Sequence, residues 1–241
     1  MSTPAETPFA DPAGTWNRRF AEAGFLFGEA PNDWLREHAG IWSPGQRVLC
    51  VADGEGRNSV WLAGRGLVVD AFDISDVAVA KAREFAARQG LVVDAFDIAE
   101  IGVAKARRLA QEHGVGVNYT VSDCDAFSWP EAAYDGVAAI FVQFADPALR
   151  ERLFGHMRRC LKPGGTLVLQ GYTPRQLEYR TGGPPFESHL YTETLLREAF
   201  ADLECVELRE YEAELAEGSG HRGRSALIGL VARRRFPPSI A

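Results

Sequence analysis

"RVLCVADGEGRNSVWLAG", residues 47–64, holds the reading that decides the fold. Residues 47–52 are mostly apolar and rich in β-formers, which predicts a short buried strand. D-G-E-G follows, and its two glycines let the backbone turn sharply and come close to a ligand. "NSVWLAGRG", residues 58–66, then reads as a short helix whose first N–H groups face that turn. Strand, glycine turn and helix in this order open a parallel α/β sheet, and such sheets bind ligands at the carboxyl ends of their strands, where the strand order reverses.

Working outward, "GLVVDAFDI" occurs twice without change, at 66–74 and 90–98. The segments 66–89 and 90–113 agree at 15 of 24 positions. Each predicts a strand followed by a helix with an apolar stripe, Ala78, Val79, Ala82, Phe85 and Ala86 in the first and Gly102, Val103, Ala106, Leu109 and Ala110 in the second. Further strands are expected at 117–123, 134–142 and 166–172, with helices near 31–39, 146–161 and 192–200 and a "KPGG" turn at 162–165. "ECVELREYEAEL" and "RSALIGLVARR" predict a C-terminal antiparallel hairpin, an allowed edge of a parallel sheet. The expected fold is therefore a doubly wound, Rossmann-like α/β domain over 15–241, after a mobile stretch over 1–14 and with a lid segment over 15–40. The repeat adds one βα unit, giving eight strands. The arrangement favoured is the second copy inserted between the first copy and strand 117–123, because leaving its strand and helix face unpacked would expose several large aliphatic side chains. The alternative extrudes one copy and avoids setting Asp70 beside Asp94.

Composition narrows the function. The net charge is −7, so a phosphate backbone would be repelled on average. No apolar run is long enough to predict a membrane span, no secretory leader is read at the N-terminus, and the expected location is the cytoplasm. The four cysteines form no CxxC pair and the histidines no cluster, so no metal site is expected. Chemistry therefore centres on the glycine turn. A nicotinamide fingerprint needs G-x-G-x-x-G, and Ser59 stands in the third glycine's place. Asp53, directly before Gly54, would repel a pyrophosphate and suits a ligand carrying an ammonium group.

With these residues in view, RVLCVADGEGRNSVWLA, VVDAFDIS, YTVSDCDAF, YDGVAAIF and CLKPGGTLVLQGY resemble, in order, a class I S-adenosylmethionine-dependent methyltransferase. WNRRF and FGEAPNDWL upstream resemble the small bacterial branch that includes tellurite-resistance and thiopurine-type enzymes. The resemblance implies S-adenosylmethionine as cofactor and assigns roles position by position. Asp53, Gly54 and Gly56 hold the methionine part, with Arg57 and Asn58 beside it. Asp73, or its repeat counterpart Asp97, binds the ribose, and Ile74 lies on the adenine face. Asp123 accepts the adenine amino group with Cys124 beside it, and Phe141 ends the strand where donor and acceptor meet. Gln143, Tyr172 and His189 are candidates near the methyl group.

Methyl transfer asks mainly for alignment and exclusion of water. Since no paired base is visible, the expected acceptor is a small, soft nucleophile such as a thiol or a metalloid species, met by a monomer or weak homodimer with no nucleic-acid or membrane partner. Two other classes stay open: a protein that binds S-adenosylmethionine or S-adenosylhomocysteine without turnover, and, less favoured, a nicotinamide-linked oxidoreductase.

Overall fold

The computed structural model describes residues 11–93 and 116–237. Eight strands form one sheet: β1 (Arg47–Val51), β2 (Val68–Asp73), β3 (Val92–Val93), β4 (Gly116–Val121), β5 (Tyr134–Ile140), β6 (Leu161–Tyr172), β7 (Leu203–Glu217) and β8 (His221–Arg234). Their order is β3-β4-β2-β1-β5-β6-β8-β7. The first six strands run parallel, and β8 pairs antiparallel with both β6 and β7, closing the sheet with the expected hairpin. Helices α1 (Pro12–Phe20), α2 (Asp33–His38), α3 (Arg57–Ala63), α4 (Asp76–Arg88), α5 (Pro147–Cys160), α6 (Gln176–Tyr179) and α7 (Glu193–Ala199), with two short 3-10 helices at Ala39–Ile41 and Glu187–His189, complete the described elements.

Local chemistry sets the helix starts. Asp11, Asn32, Ser75, Asp146 and Thr192 each accept a backbone N–H from the first turn of the helix they precede. Residues 12–14, expected to be mobile, thus form the first turn of α1. Asn32 caps the start of α2, within the stretch 31–39 expected to be helical. The K-P-G-G stretch lies within β6, as an irregularity where the β5 pairing jumps from Tyr134↔Leu161 to Gly136↔Thr166. Two apolar clusters sandwich the sheet. One gathers Leu49, Phe72, Val137, Phe154, Met157 and Leu169 on the α5 side. The other gathers Trp34, Val48, Val69, Val79, Phe85 and Val231 on the α3 and α4 side.

The strand count matches the sequence expectation, but the arrangement corrects it. The second copy is not inserted between the first copy and β4. β2 pairs β4 directly, from Val68↔Gly116 to Asp73↔Val121. The described start of the second copy, β3, lies outside β4 with Val92↔Gly116 and Val93↔Val117. Val68 and Val92 occupy the same place in the repeat, so the two copies flank β4 in one register. The physical reason lies at Asp70, which faces Asn118 across the ladder and accepts its amide at 2.8 Å, while Arg47 Nε donates to the same carboxylate at 2.8 Å. Copy-on-copy pairing would have put Asp94 opposite Asp70 instead, which opposes like charges in mid-sheet. Burial is not forfeited, since Leu91 and Val93 still pack on the α4 side of the core. Asp97 and the helix of the second copy lie outside the described residues. Deleting 90–113 is therefore expected to leave the β2–β4 junction whole and to change S-adenosylhomocysteine affinity less than about threefold by calorimetry. Loss of binding on deletion would contradict this topology.

Candidate functional site

The glycine turn sits at the carboxyl end of β1. Asp53 N–H donates to Phe72 O at 3.0 Å, which ties the turn to the end of β2. Gly54 and Gly56 both have positive φ, 60° and 89°. A Cβ on Gly56 would stand 2.8 Å from the Ala82 Cβ and 3.1 Å from its Cα, so only glycine lets α4 approach this closely. Asp53 Oδ2 accepts the Ser59 hydroxyl, which also meets the Tyr119 hydroxyl at 2.9 Å. Asp53 Oδ1 is sealed from solvent and has no hydrogen-bond partner among the described residues. Burial pushes this carboxyl up to about 7, the bond from Ser59 opposes the rise, and the charge of Asp73 adds to it. Asp53 and Asn58 line a small cleft with Cys50, Val51, Ala52, Ala138 and Ile140.

Asp73 closes β2 against this turn. Its Oδ2 accepts the Gly54 N–H and its Oδ1 the Ser75 N–H, both at 2.9 Å. Burial raises its carboxyl to about 6 against those bonds. Ile74, next in the chain, is half-buried. Asp123 follows β4 by two residues, and because Asp73 pairs with Val121 it stays next to the end of β2. It is exposed, with Oδ1 accepting the N–H groups of Asp125 and Ala126 at 2.8 and 2.7 Å. The Cys124 side chain points away into the core beside Phe72, where burial lifts its thiol to about 12. Asn58 Oδ1 accepts the Asn32 N–H at 3.0 Å, and Arg57 donates to Glu217 Oε2 at 2.8 Å and to Phe27 O at 3.3 Å. Both side chains therefore hold the surroundings of the turn together.

At the end of β5, Phe141 has φ of +55°, a strained backbone for an aromatic residue. Its ring stacks on Tyr172 at 4.7 Å. Gln143 is a bracket between β6 and the segment before α7. Its Nε2 donates to Tyr172 O and His189 O, and its Oε1 accepts the Tyr172 N–H at 2.6 Å. Both amide protons are thus engaged by backbone, which leaves no proton for a reaction. His189 is buried, its Nδ1 bonded to Gln143 O at 2.9 Å.

Sequence reasoning missed two parts of the site. The first is how segment 11–28 roofs it. Phe20 lies against Gly54, 3.4 Å from where a Cβ would stand. Asn17 accepts the Ser75 hydroxyl at 2.5 Å. Leu26 N–H donates to Glu55 Oε2 at 2.7 Å, while Leu26 O accepts the N–H groups of Ser219 and Gly220 at 3.0 Å each. Lys81 clamps the same stretch through Glu22 O, Gly24 O and Glu55.

The second missed part is His221, across the β7–β8 turn from Glu217 in direct register. Its Nδ1 lies 3.3 Å from Glu217 Oε2. Glu217 also pairs with the buried Arg57 and accepts from Asn32 Nδ2 at 2.9 Å. Burial works against the charge on Glu217, but the bond to His221 and the Arg57 guanidinium outweigh it and hold the carboxyl down to about 2. The signal was present in "EGSGH", residues 217–221, where a three-residue turn sets a carboxylate opposite an imidazole. Among the described residues no group of three or more His, Cys, Asp or Glu could hold a metal ion, and no helix is long and apolar enough to cross a membrane.

Residues 85–165 match a family described as "Methyltransferase domain". No curated protein matches the chain by sequence. Solved structures share the fold. A SAM-dependent methyltransferase from Methanosarcina mazei has TM-score 0.61 and 20% identity, over 83% of this chain and 97% of that one. The N-methyltransferase NodS from Bradyrhizobium japonicum, in complex with S-adenosyl-L-homocysteine, has TM-score 0.62 and 14% identity, over 93% and 98%. TehB from Haemophilus influenzae has TM-score 0.58 and 19% identity, over 83% of this chain and 61% of that one.

Proposed function

We propose that the chain is a class I S-adenosylmethionine-dependent methyltransferase that moves a methyl group from S-adenosylmethionine to a small acceptor held under the N-terminal roof; the family match over 85–165 and the shared fold support this. The observation that carries the reading is the solvent-sealed, unpartnered Oδ1 of Asp53 in the cleft beside two positive-φ glycines. A buried acceptor without a donor is costly, and an α-ammonium group supplies both the missing hydrogen bond and the compensating charge. The residues present fit the cofactor. Asp53 would hold its ammonium, and Asp73, whose oxygens each keep a lone pair beyond their backbone bonds, would accept the ribose hydroxyls. Asp123 and Ile74 would flank the adenine.

When bound, the cofactor supplies an electrophilic methyl carbon and leaves as neutral S-adenosylhomocysteine. The chain's own part is alignment and dryness. Gly54 and Gly56 let the backbone come close, Phe141 and Tyr172 floor the acceptor side, and segment 11–28 excludes water. The acceptor would be enclosed by the roof, which the Ser219–Gly220 turn holds through Leu26 O. Buried free thiols at Cys50, Cys124 and Cys160 suit a reducing compartment, and the cytoplasm is the proposed location.

Incubation with methyl-labelled S-adenosylmethionine and a panel of small thiols, metalloid oxyanions, phenols and amines is expected to transfer label to a small acceptor. Label reaching only large peptides or nucleic acids would contradict the reading. Binding of cofactor without transfer to any acceptor would favour a binding protein.

A further inference from the structure

Resting on the methyltransferase reading, we propose that His221, oriented by Glu217, takes the proton from the methyl acceptor, and that the acceptor is an aromatic ring bearing a hydroxyl group. Position comes first. β8 runs antiparallel to β6, so its first residue, His221, stands at the same end of the sheet as the last residues of β5 and β6. There its ring meets Phe141 edge-on at 4.4 Å and Tyr172 at 5.7 Å, the residues beside the place where donor and acceptor meet. Phe27 of the roof covers it at 4.5 Å.

Orientation comes second. With Nδ1 turned to the Glu217 carboxylate, the neutral ring carries its hydrogen there and presents the Nε2 lone pair, to which no described residue bonds. The groups acting on His221 are Glu217, Arg57 and Arg19. Burial lowers its pKa first, Glu217 opposes, and the two arginines reinforce the fall. The ring is therefore neutral, and able to accept a proton, at pH 7. Glu217 remains charged and stabilises the imidazolium that forms.

The surroundings fix the acceptor class. Rings from Phe27, Phe141 and Tyr172 suit a planar apolar frame. Arg57 and Glu217 neutralise each other. A base would be superfluous for an acceptor that arrives as an anion, whereas a phenol needs one. In the reaction the hydroxyl oxygen bonds to the methyl carbon, the methyl–sulfur bond breaks with its electron pair left on sulfur, and the hydroxyl proton passes to His221 Nε2. His221 then releases the proton to water.

The test uses the full chain, with titration calorimetry against S-adenosylhomocysteine for binding and methyl-labelled S-adenosylmethionine with a panel of phenols for transfer. His221→Gln should bind S-adenosylhomocysteine as tightly as wild type, which reports an intact fold. It should also methylate phenols about 100-fold more slowly, while transfer to 2-mercaptoethanol supplied as thiolate changes less than about threefold. The phenol rate of the wild type should fall only once the pH drops below the ordinary imidazole range, because burial holds the His221 pKa down. The proposal is overturned if His221→Gln keeps the phenol rate, or if a wild type that binds S-adenosylhomocysteine methylates no phenol. A wild type that does not bind S-adenosylhomocysteine would instead sink the cofactor reading beneath it.

Discussion

Asp53→Asn is expected to weaken S-adenosylhomocysteine binding about 100-fold and, at pH 8, to raise the melting temperature of the ligand-free protein. The two effects share one cause. Oδ1 of Asp53 is sealed without a partner, and burial lifts the carboxyl to about 7. A group whose folded pKa is raised contributes stability that is complete below its unfolded value, roughly 3.9. That contribution fades as pH climbs through about 7. At pH 8 the charged carboxylate therefore burdens the free fold. Asparagine removes the charge and keeps an oxygen for Ser59, although its own N–H gains no acceptor, so the net gain is on the order of 2 kcal/mol, or about 4–8 °C in Tm. Binding moves the opposite way, because losing a buried charge-assisted bond to an ammonium costs about 2–5 kcal/mol. Scanning calorimetry and titration calorimetry check the two halves. A variant that binds normally, or one destabilised at pH 8, would place the cofactor's ammonium elsewhere.

Gly56→Ala should cost about 3–4 kcal/mol of stability, a large share of the roughly 5–15 kcal/mol that holds a domain folded. A φ of +89° penalises any side chain by about 1–2 kcal/mol. The added Cβ would also press on Ala82, at 2.8 Å from its Cβ and 3.1 Å from its Cα. That backbone belongs to α4 and yields only by moving the helix off the sheet, an overpacking cost of about 1–3 kcal/mol. Gly54→Ala is milder, since its Cβ would meet only the Phe20 ring, at 3.4 Å. Urea unfolding of the two variants should rank them in that order, and equal midpoints would contradict the contact.

Much of this was legible in the chain because it is local. Asp53 and Asp73 each end an apolar run, so their place at strand termini could be read from pattern alone. The Phe141 position followed from the strand before it. What could not be read was pairing between distant segments. Burial favoured inserting the second copy between the first and β4, and the outcome turned instead on Asn118 meeting Asp70 across the ladder. The Gln143 amide looked like a reactive candidate until its bonds to Tyr172 and His189 backbone were visible. His221 looked solitary because its ring partners come from Phe27 and Phe141, far away in sequence. The roof was expected as a segment, but its latch through both backbone groups of Leu26 carries no side-chain signal.

The most direct test of the cofactor site is calorimetric titration of the ligand-free chain with S-adenosylhomocysteine at pH 8 and again at pH 6. Expected is one site per chain, with affinity about tenfold weaker at pH 6, because Asp53, titrating near 7, must then lose a proton before it can hold the ammonium. Absence of binding at pH 8, or an affinity that does not change between the two, would contradict the assignment of Asp53 to the cofactor.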